Sequence, residues 1–325
     1  MRDGVRVRAR AFWTVASGRG EIREEEVSQP RDDEVRVRAL ASGISRGTES
    51  LVFAGRVPPS QYSVMRAPLM AGEFPFPVKY GYSAVGRTDD GKRVFVLHPH
   101  QDVFVAPAAM CIPVPDAVPT PRAVLAANME TALNITWDAA PLTGERILVI
   151  GAGVVGLMTA SLLARTPAAH VTIVDINPER SALAERLGCA FATPDTAPRE
   201  QELIVHASST EQGLRLALSR AAFEARIVEA SWFGDFPPAL PLGEAFHARR
   251  LRIIASQVGA VAPAMRGRRT HAERLALALN LLADSAYDAL LEPATAFKNL
   301  PRAMPRLLAG GLCHLVSYGN EPCSA

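Results

Sequence analysis

The stretch Arg146-Ile-Leu-Val-Ile150, running into Gly151-Ala-Gly-Val-Val-Gly156, constrains this chain more than any other. Its apolar residues predict a buried strand, the three glycines stand at GxGxxG spacing, and Leu157 to Arg165 continues as a helix. A strand, a glycine turn and a helix in that order form a dinucleotide-binding fingerprint. Gly151 permits the tight turn, Gly153 lets backbone approach a pyrophosphate, and Gly156 lets the helix pack close to the strand. Phosphates would sit against the unpaired N–H groups of the helix N-terminus, so Gly151, Gly153, Val155 and Gly156 are the phosphate-side candidates.

A lone glycine motif is weak evidence, but a second apolar strand, Val171-Thr-Ile-Val174, ends in Asp175, 19 residues beyond Gly156. A carboxylate at about that spacing reaches the ribose hydroxyls of a dinucleotide. The plain alternative is a surface Asp capping the next turn. Because a carboxylate repels a 2′-phosphate, Asp175 favours NAD over NADP. Arg180 nearby is a second cofactor candidate, or simply an exposed helix residue.

At 325 residues the chain is long enough for two domains with separate cores. With 48% hydrophobic and 21% charged residues it reads as an ordinary globular protein. A net charge of +2 makes no electrostatic case for nucleic acid or membrane as partner. No window approaches the roughly 18 apolar residues of a membrane span. The first eight residues, Met1 to Arg8, lack the apolar core of a signal peptide. Cys111, Cys189, Cys313 and Cys323 are scattered, which suits free thiols in a reducing cytoplasm and excludes a zinc lobe of close-spaced cysteines. The expectation is a cytoplasmic enzyme acting on a small molecule.

The first third reads as short strands: Val5 to Thr14, Glu34 to Ala39, Val94 to Leu97 and Val103 to Val105, punctuated by prolines that favour strands and loops over helices. A compact antiparallel barrel is expected there. From Pro121 the texture changes. Ala123 to Ala140 reads as one or two helices. Strands at Ile147–Ile150, Val171–Val174, Leu203–His206, Arg226–Glu229 and Arg252–Ala255 then alternate with helices at Leu157–Arg165, Glu179–Leu187 and Gln212–Ala221. That alternation predicts a doubly wound parallel sheet, an α/β fold of Rossmann type. Helices at Thr270–Ala283 and Leu300–Leu308 and a strand at Leu312–Tyr318 form a tail returning to the first domain. The expected division is 1–121, 122–262 and 263–325.

A barrel, a mid-chain Rossmann unit and a returning tail together resemble the medium-chain dehydrogenase/reductase superfamily of alcohol-dehydrogenase type. The resemblance is carried by Ser42-Gly-Ile-Ser-Arg-Gly-Thr-Glu49, Pro75-Phe-Pro-Val-Lys-Tyr-Gly-Tyr-Ser-Ala-Val-Gly86, Gly91-Lys-Arg-Val94, Gly151 to Gly156 and Val174-Asp-Ile-Asn-Pro178. It implies a GroES-like first domain, a hydride-transferring activity, and a homodimer. The first two segments look like those that present a zinc-ligand Cys and a Gly-His-Glu motif in the family. Here Ser45 stands for the Cys, Tyr82 for the His and Ser83 for the Glu, while the third ligand position falls near Ala127. Ser, Tyr and Ala cannot supply three zinc ligands, so the resemblance points to a zinc-free member. His98 and His100, in a His-Pro-His, are the alternative local metal ligands. Gly-Ile-Ser-x-Gly-Thr-Glu and Gly-Tyr are also similar to bacteriochlorophyllide dehydrogenases, a zinc-lacking branch.

Without the metal, other groups must polarise the substrate oxygen. Tyr82 and Ser45, at former ligand positions, are the first candidates. Tyr82 acts as donor or general acid/base, or it merely fills the vacated pocket. Thr48 and Glu49, read as lying on the same loop, extend a proton relay, or Glu49 is a helix-start residue favoured by the dipole. Arg46 resembles a pyrophosphate contact, or is simply an exposed Arg, and Thr131 resembles a nicotinamide contact, or is a plain helix residue with no role. The rule that ligands bind beyond the carboxyl ends of strands nominates Ser208, Ser209, Ser231, Trp232, Ser256 and Gln257. His206, His247 and His314 carry little information. The favoured activity is oxidation of a secondary alcohol, or reduction of the matching ketone, with NAD. Quinone or enone reduction with NADPH is a second reading, and cofactor binding without turnover a third.

Overall fold

In the computed structural model, which describes residues 7–319, the chain divides into two compact units, residues 1–127 with 275–325 and residues 128–274. Val5, the first six residues and Cys323 lie outside the described residues.

The first unit begins with strands β1 (Val7–Ala16), β2 (Arg19–Val27) and β3 (Glu34–Ile44), followed by helix α1 (Arg46–Ala54). Short strands follow: β4 (Ala71–Gly72), β5 (Val78–Lys79), β6 (Ala84–Thr88), β7 (Arg93–Val96), β8 (Val103–Pro107) and β9 (Ile112–Pro113). Helix α2 (Thr120–Ala123) precedes α3 (Ala126–Ala139). The second unit supplies β10 (Arg146–Ile150), α4 (Val154–Leu163), β11 (His170–Val174), α5 (Ser181–Arg186), β12 (Ala190–Ala192), β13 (Gln201–His206), α6 (Glu211–Arg220), β14 (Ala221–Glu229) and β15 (Arg252–Ala255). Helix α7 (His271–Leu281), β16 (Leu291–Ala296), α8 (Leu300–Ala309) and β17 (Cys313–Ser317) complete the chain.

In the second unit the six strands run parallel in the order β12-β11-β10-β13-β14-β15. The chain leaves β10 toward β11 on one side and resumes on the other side with β13, so the switch in strand order lies between β10 and β13. Strands buried on both faces need apolar residues at every position; Ile147 to Ile150 and Leu203 to Val205 are at most 3% exposed. The core adds Leu214, Leu218 and Ile227 to these strands.

The first unit is built of antiparallel pairings apart from β16 with β17, which run parallel. Strand β17 pairs with β3. Helix α8 buries Leu300, Met304 and Leu307 against Phe12, Ile44, Phe53 and Val316. The apolar alternation of β1 and β3 was readable, but β2 was not: it is Arg-Gly-Glu-Ile-Arg-Glu-Glu-Glu-Val, too charged to look like a strand. Its carboxylates are instead used across the ladder, where Glu25 accepts from Trp13 Nε1 at 2.6 Å and from Lys79 Nζ at 2.6 Å.

One expectation is corrected here. Thr48 and Glu49 lie not on a loop but in the first turn of α1, which ends at Gly55 in the left-handed conformation (φ 72°). The proline-rich surroundings favoured loops. The local sequence Leu51-Val-Phe53, closed by a glycine that accepts positive φ, decides for helix.

Candidate functional site

The glycine turn lies where the strand order switches. Gly151 has φ 108°, and a Cβ there would come within 2.9 Å of Ala207 and Ser208 backbone atoms, so only glycine fits between β10 and the end of β13. A Cβ on Gly156 would overlap the Gly151 carbonyl oxygen. Gly156 therefore fixes the approach of α4 to the turn itself. Gly153, by contrast, caps α4 with open space around its missing Cβ and no side-chain acceptor at the cap. An uncapped helix N-terminus beside open space is what an anionic ligand needs.

Asp175 follows β11. Its Oδ2 accepts from Ala152 N–H at 2.7 Å and its Oδ1 from Asn177 N–H at 2.9 Å. The turn-capping alternative is thus realised together with a brace on the glycine turn, and each carboxylate oxygen keeps a lone pair for a further donor. Beside it Ile176 is 86% exposed, an apolar surface that sequence reading passed over. Arg180, at the end of the 3₁₀ turn 178–180, is partly exposed.

The serines named from the carboxyl ends of β13 and β14 come together around a histidine. His206 is fully buried; its Nδ1 lies 2.7 Å from Glu229 Oε2 and its Nε2 2.7 Å from Ser208 Oγ. Ser208 Oγ lies 2.8 Å from Thr210 Oγ1, and Ser231 Oγ accepts from Ser209 N–H at 3.1 Å. The sequence signal for His206 was its place as the last residue of a central strand, just ahead of two nominated serines. Ser256 instead donates to Asp138 Oδ2 at 2.6 Å. That carboxylate belongs to a network centred on Arg274, 1% exposed, which bonds Glu130 Oε1 (3.0 Å), Asn134 Oδ1 (2.6 Å) and the Val258 and Ala260 carbonyls. Burial holds the Glu130 carboxyl above its ordinary pKa, and Arg274 pulls it back down.

In the first unit the four catalytic candidates also converge. The Tyr82 hydroxyl bonds the Ser45 and Thr48 side chains, while burial and the nearby Glu49 push its pKa up to about 12. It therefore stays a proton donor across the neutral range. Glu49, 3% exposed, accepts from Ser45 N–H at 2.7 Å, which is the helix-start role. Its other oxygen lies 3.0 Å from His100 Nε2; His100 Nδ1 lies 2.7 Å from Ser42 Oγ, and Ser42 lies 2.8 Å from the Tyr318 hydroxyl. His100 was weighed only as a metal ligand, and its pairing with Glu49 across 51 residues had no local signal. His98 stacks on Phe104 at 3.7 Å and bonds the Pro99 carbonyl. Arg46 opens α1 and Thr131 lies in α3, both partly exposed.

A zinc ion held as in alcohol dehydrogenases needs three ligands drawn from Cys, His and carboxylate. Ser45, Tyr82 and Ala127 offer none, and Ser83 donates its hydroxyl to the Val124 carbonyl. Among the described residues no three or more His, Cys, Asp or Glu group together to hold a metal. These residues do not fit that ion. Nor is any helix among the described residues long and apolar enough to cross a membrane.

Residues 136–230 match the family model "Alanine dehydrogenase/PNT, C-terminal domain". Over 166 residues the chain is 30% identical to an "Uncharacterized zinc-type alcohol dehydrogenase-like protein" of Haemophilus influenzae, covering 46% of this chain and 48% of that protein. The match thus spans about half of that relative's length. The fold is similar over 96% of the chain to the "short chain alcohol dehydrogenase (rspB)" of E. coli CFT073 complexed with NADH, with TM-score 0.76, 18% identity and 99% of that chain covered. It is equally similar to a "putative zinc-binding dehydrogenase" of Sinorhizobium meliloti 1021 bound to NADP, with TM-score 0.76, 15% identity, and 96% and 100% of the two chains covered. The glycine turn at the strand-order switch thus belongs to a fold that these dehydrogenases share along nearly the whole chain, with a central sequence similar to theirs.

Proposed function

We infer that the chain is an oxidoreductase that moves a hydride between NAD(H) and a secondary alcohol or ketone without a catalytic zinc. The observation that carries this reading is the hydroxyl cluster in which Tyr82 and Ser45, at the positions where metal ligands would stand, join Thr48. The nicotinamide ring, when bound, supplies the hydride chemistry. The protein must then bind and orient the dinucleotide and manage one proton at the substrate oxygen.

Gly151, Gly153, Val155 and Gly156 would take the pyrophosphate on the α4 N-terminus, and Asp175 the adenosine ribose hydroxyls. A carboxylate held in place by two backbone N–H groups disfavours the 2′-phosphate of NADP, which supports NAD. Ile176 offers apolar surface for an adenine face. Arg46, Thr131, Arg180, Ser208, Ser231 and Ser256 are the remaining cofactor-side candidates. Of these, Ser256 is already engaged by Asp138.

Tyr82 donates its O–H to the substrate oxygen as a ketone is reduced and is reprotonated through the Ser45 or Thr48 hydroxyl, each of which takes a proton from solvent water as it gives one up. In the oxidative direction the same relay runs in reverse, and the alcohol proton leaves to water. Glu49 braces Ser45 through its backbone N–H and is itself held by His100. The protein acts in this reading as a zinc-free branch member similar to bacteriochlorophyllide dehydrogenases.

Three measurements on the purified chain test the reading. NADH should bind, with NADPH at least tenfold weaker. Elemental analysis should find less than 0.1 zinc per chain. A panel of alcohols and ketones should change absorbance at the NADH band. Stoichiometric zinc refutes the metal-free mechanism, and NADH binding with no turnover on any substrate leaves the binder-only class.

A further inference from the structure

The two histidines that flank Pro99 are used differently. His100 engages both ring nitrogens, with Glu49 and Ser42. His98 engages one: its Nδ1 donates to the Pro99 carbonyl at 2.9 Å. A carbonyl only accepts, so Nδ1 carries the proton. Burial, helped by the nearby Lys79 cation, pulls the pKa of the ring down to about 3 against that bond. The ring is therefore uncharged at neutral pH and its Nε2 is a bare acceptor. The stack on Phe104, with centroids 3.7 Å apart and planes 9° from parallel, fixes the ring in this orientation together with the Pro99 bond.

His98 is 5% exposed, yet among the described residues its Nε2 has no hydrogen-bond partner. Nor is that nitrogen sealed in the core. The buried side-chain atoms left without a partner are Arg36 Nε, Thr159 Oγ1 and Arg220 Nε. The open space that His98 borders is a cavity of about 260 Å³ within the first unit, lined also by Val27, Leu69, Lys79, Gln101 and Phe104. An unpartnered acceptor on a side chain otherwise buried thus opens into a cavity with apolar walls. Ligand pockets of drug size start at about 300 Å³, so the volume limits an occupant to about the size of a single ring.

The charges around the cavity limit the occupant further. Lys79 Nζ donates to Glu25 Oε2 at 2.6 Å and to Gln101 Oε1 at 2.7 Å, so its charge is already balanced. An anion would meet a bare ring nitrogen and, at the exposed rim, the carboxylate of Glu26; a cation would meet the Lys79 ammonium. Burying either charge without a counter-ion is costly. A neutral molecule with a hydrogen to give satisfies Nε2 at no such cost.

We propose that this cavity is a binding site, separate from the Tyr82 cluster, for a small neutral hydroxyl compound with an apolar body. Its O–H donates to His98 Nε2, and its body lies against Val27, Leu69 and Phe104.

Phenol is the probe. Anisole, which keeps the ring without the O–H, and benzoate, which carries a charge, are the controls. The ¹⁵N-histidine-labelled full chain is titrated to about 20 mM, a range that covers weak ligands of one ring. Long-range ¹H–¹⁵N spectra follow the His98 ring, assigned through its contact with Phe104. Phenol should move the Nε2 resonance and saturate. Anisole and benzoate should bind at least about tenfold more weakly, the scale of one buried acceptor left unpaired. Ser28, which lines the exposed rim, can be enlarged without touching the core, and Ser28→Trp should weaken phenol about tenfold by filling the mouth. His98→Phe keeps the stack on Phe104 and should abolish the preference for phenol over anisole; the rim variant and the anisole comparison stand without it if that chain does not fold. The proposal is overturned by a wild-type Nε2 that carries a proton, by an Nε2 resonance unmoved at the highest phenol concentration, or by anisole binding as tightly as phenol. It is equally overturned by phenol binding that Ser28→Trp leaves within twofold, which assigns the molecule to another site such as the Tyr82 cluster.

Discussion

Replacing Arg274 with Met should expose how much of the second unit depends on one buried cation. The guanidinium is 1% exposed and bonds Glu130, Asn134 and the carbonyls of Val258 and Ala260. Met fills a similar volume and supplies no donor. Glu130, 4% exposed, is left without its cation, and two carbonyls lose their partner. Breaking a buried pair by removing one member costs about 3–5 kcal/mol, and that is the expected loss at pH 7.5 in urea melts of the full chain. The sign of the pH dependence follows from Glu130, whose carboxyl is raised by burial despite Arg274. A raised carboxyl holds its proton more tightly folded than unfolded. Its contribution to stability is present at low pH and is lost as pH rises through the folded value. Without Arg274 that value climbs further, so the deficit of the variant should shrink between pH 7.5 and pH 5. Adding Glu130→Gln should recover part of the loss at pH 7.5 and abolish the pH effect. A loss under about 1 kcal/mol at pH 7.5, the ordinary effect of a surface substitution at most, or one equal at both pH values, refutes the argument.

Two glycine variants should separate stability from binding. Gly156→Ala forces its Cβ into the Gly151 carbonyl and should cost about 1–3 kcal/mol as well as NADH affinity, whereas Gly153→Ala, with open space around it, should leave the melting curve unchanged and still weaken NADH. Tyr82→Phe keeps the edge contact with Tyr80 (6.0 Å, 89°) and removes only the hydroxyl. Turnover should fall about 10²–10³-fold, as for loss of an oxyanion donor, with NADH affinity within twofold; unchanged turnover refutes the role of Tyr82. Burial raises Tyr80, Tyr82, Tyr318, Cys189 and Cys313, the last two to about 12. Their stabilising contribution is full below the unfolded values of about 9–10 and is lost as pH rises through the folded ones, so urea midpoints should decline steadily from pH 9 to pH 11. A flat profile there contradicts the burial of these groups.

Local chemistry made the second unit readable. Apolar runs, glycines where positive φ or close approach is needed, and a carboxylate after the second strand each act within a few residues, so the parallel sheet, the glycine turn and Asp175 could be named from sequence. That Ser45 and Tyr82 are not zinc-ligand residue types was legible too, because ligand chemistry is a property of residue type. Strand β2 was hidden by its charge, α1 by the surrounding prolines.

What tertiary structure alone decided is which polar groups face one another. His206 meets Glu229 through strand register, Glu49 meets His100 across 51 residues, and Arg274 gathers Glu130 and Asn134 from a helix 140 or more residues earlier. A buried polar group must find a partner or lose the cost of its desolvation. The amino-acid order states that such a group exists; only packing names the partner and, with it, the direction in which each hydroxyl points.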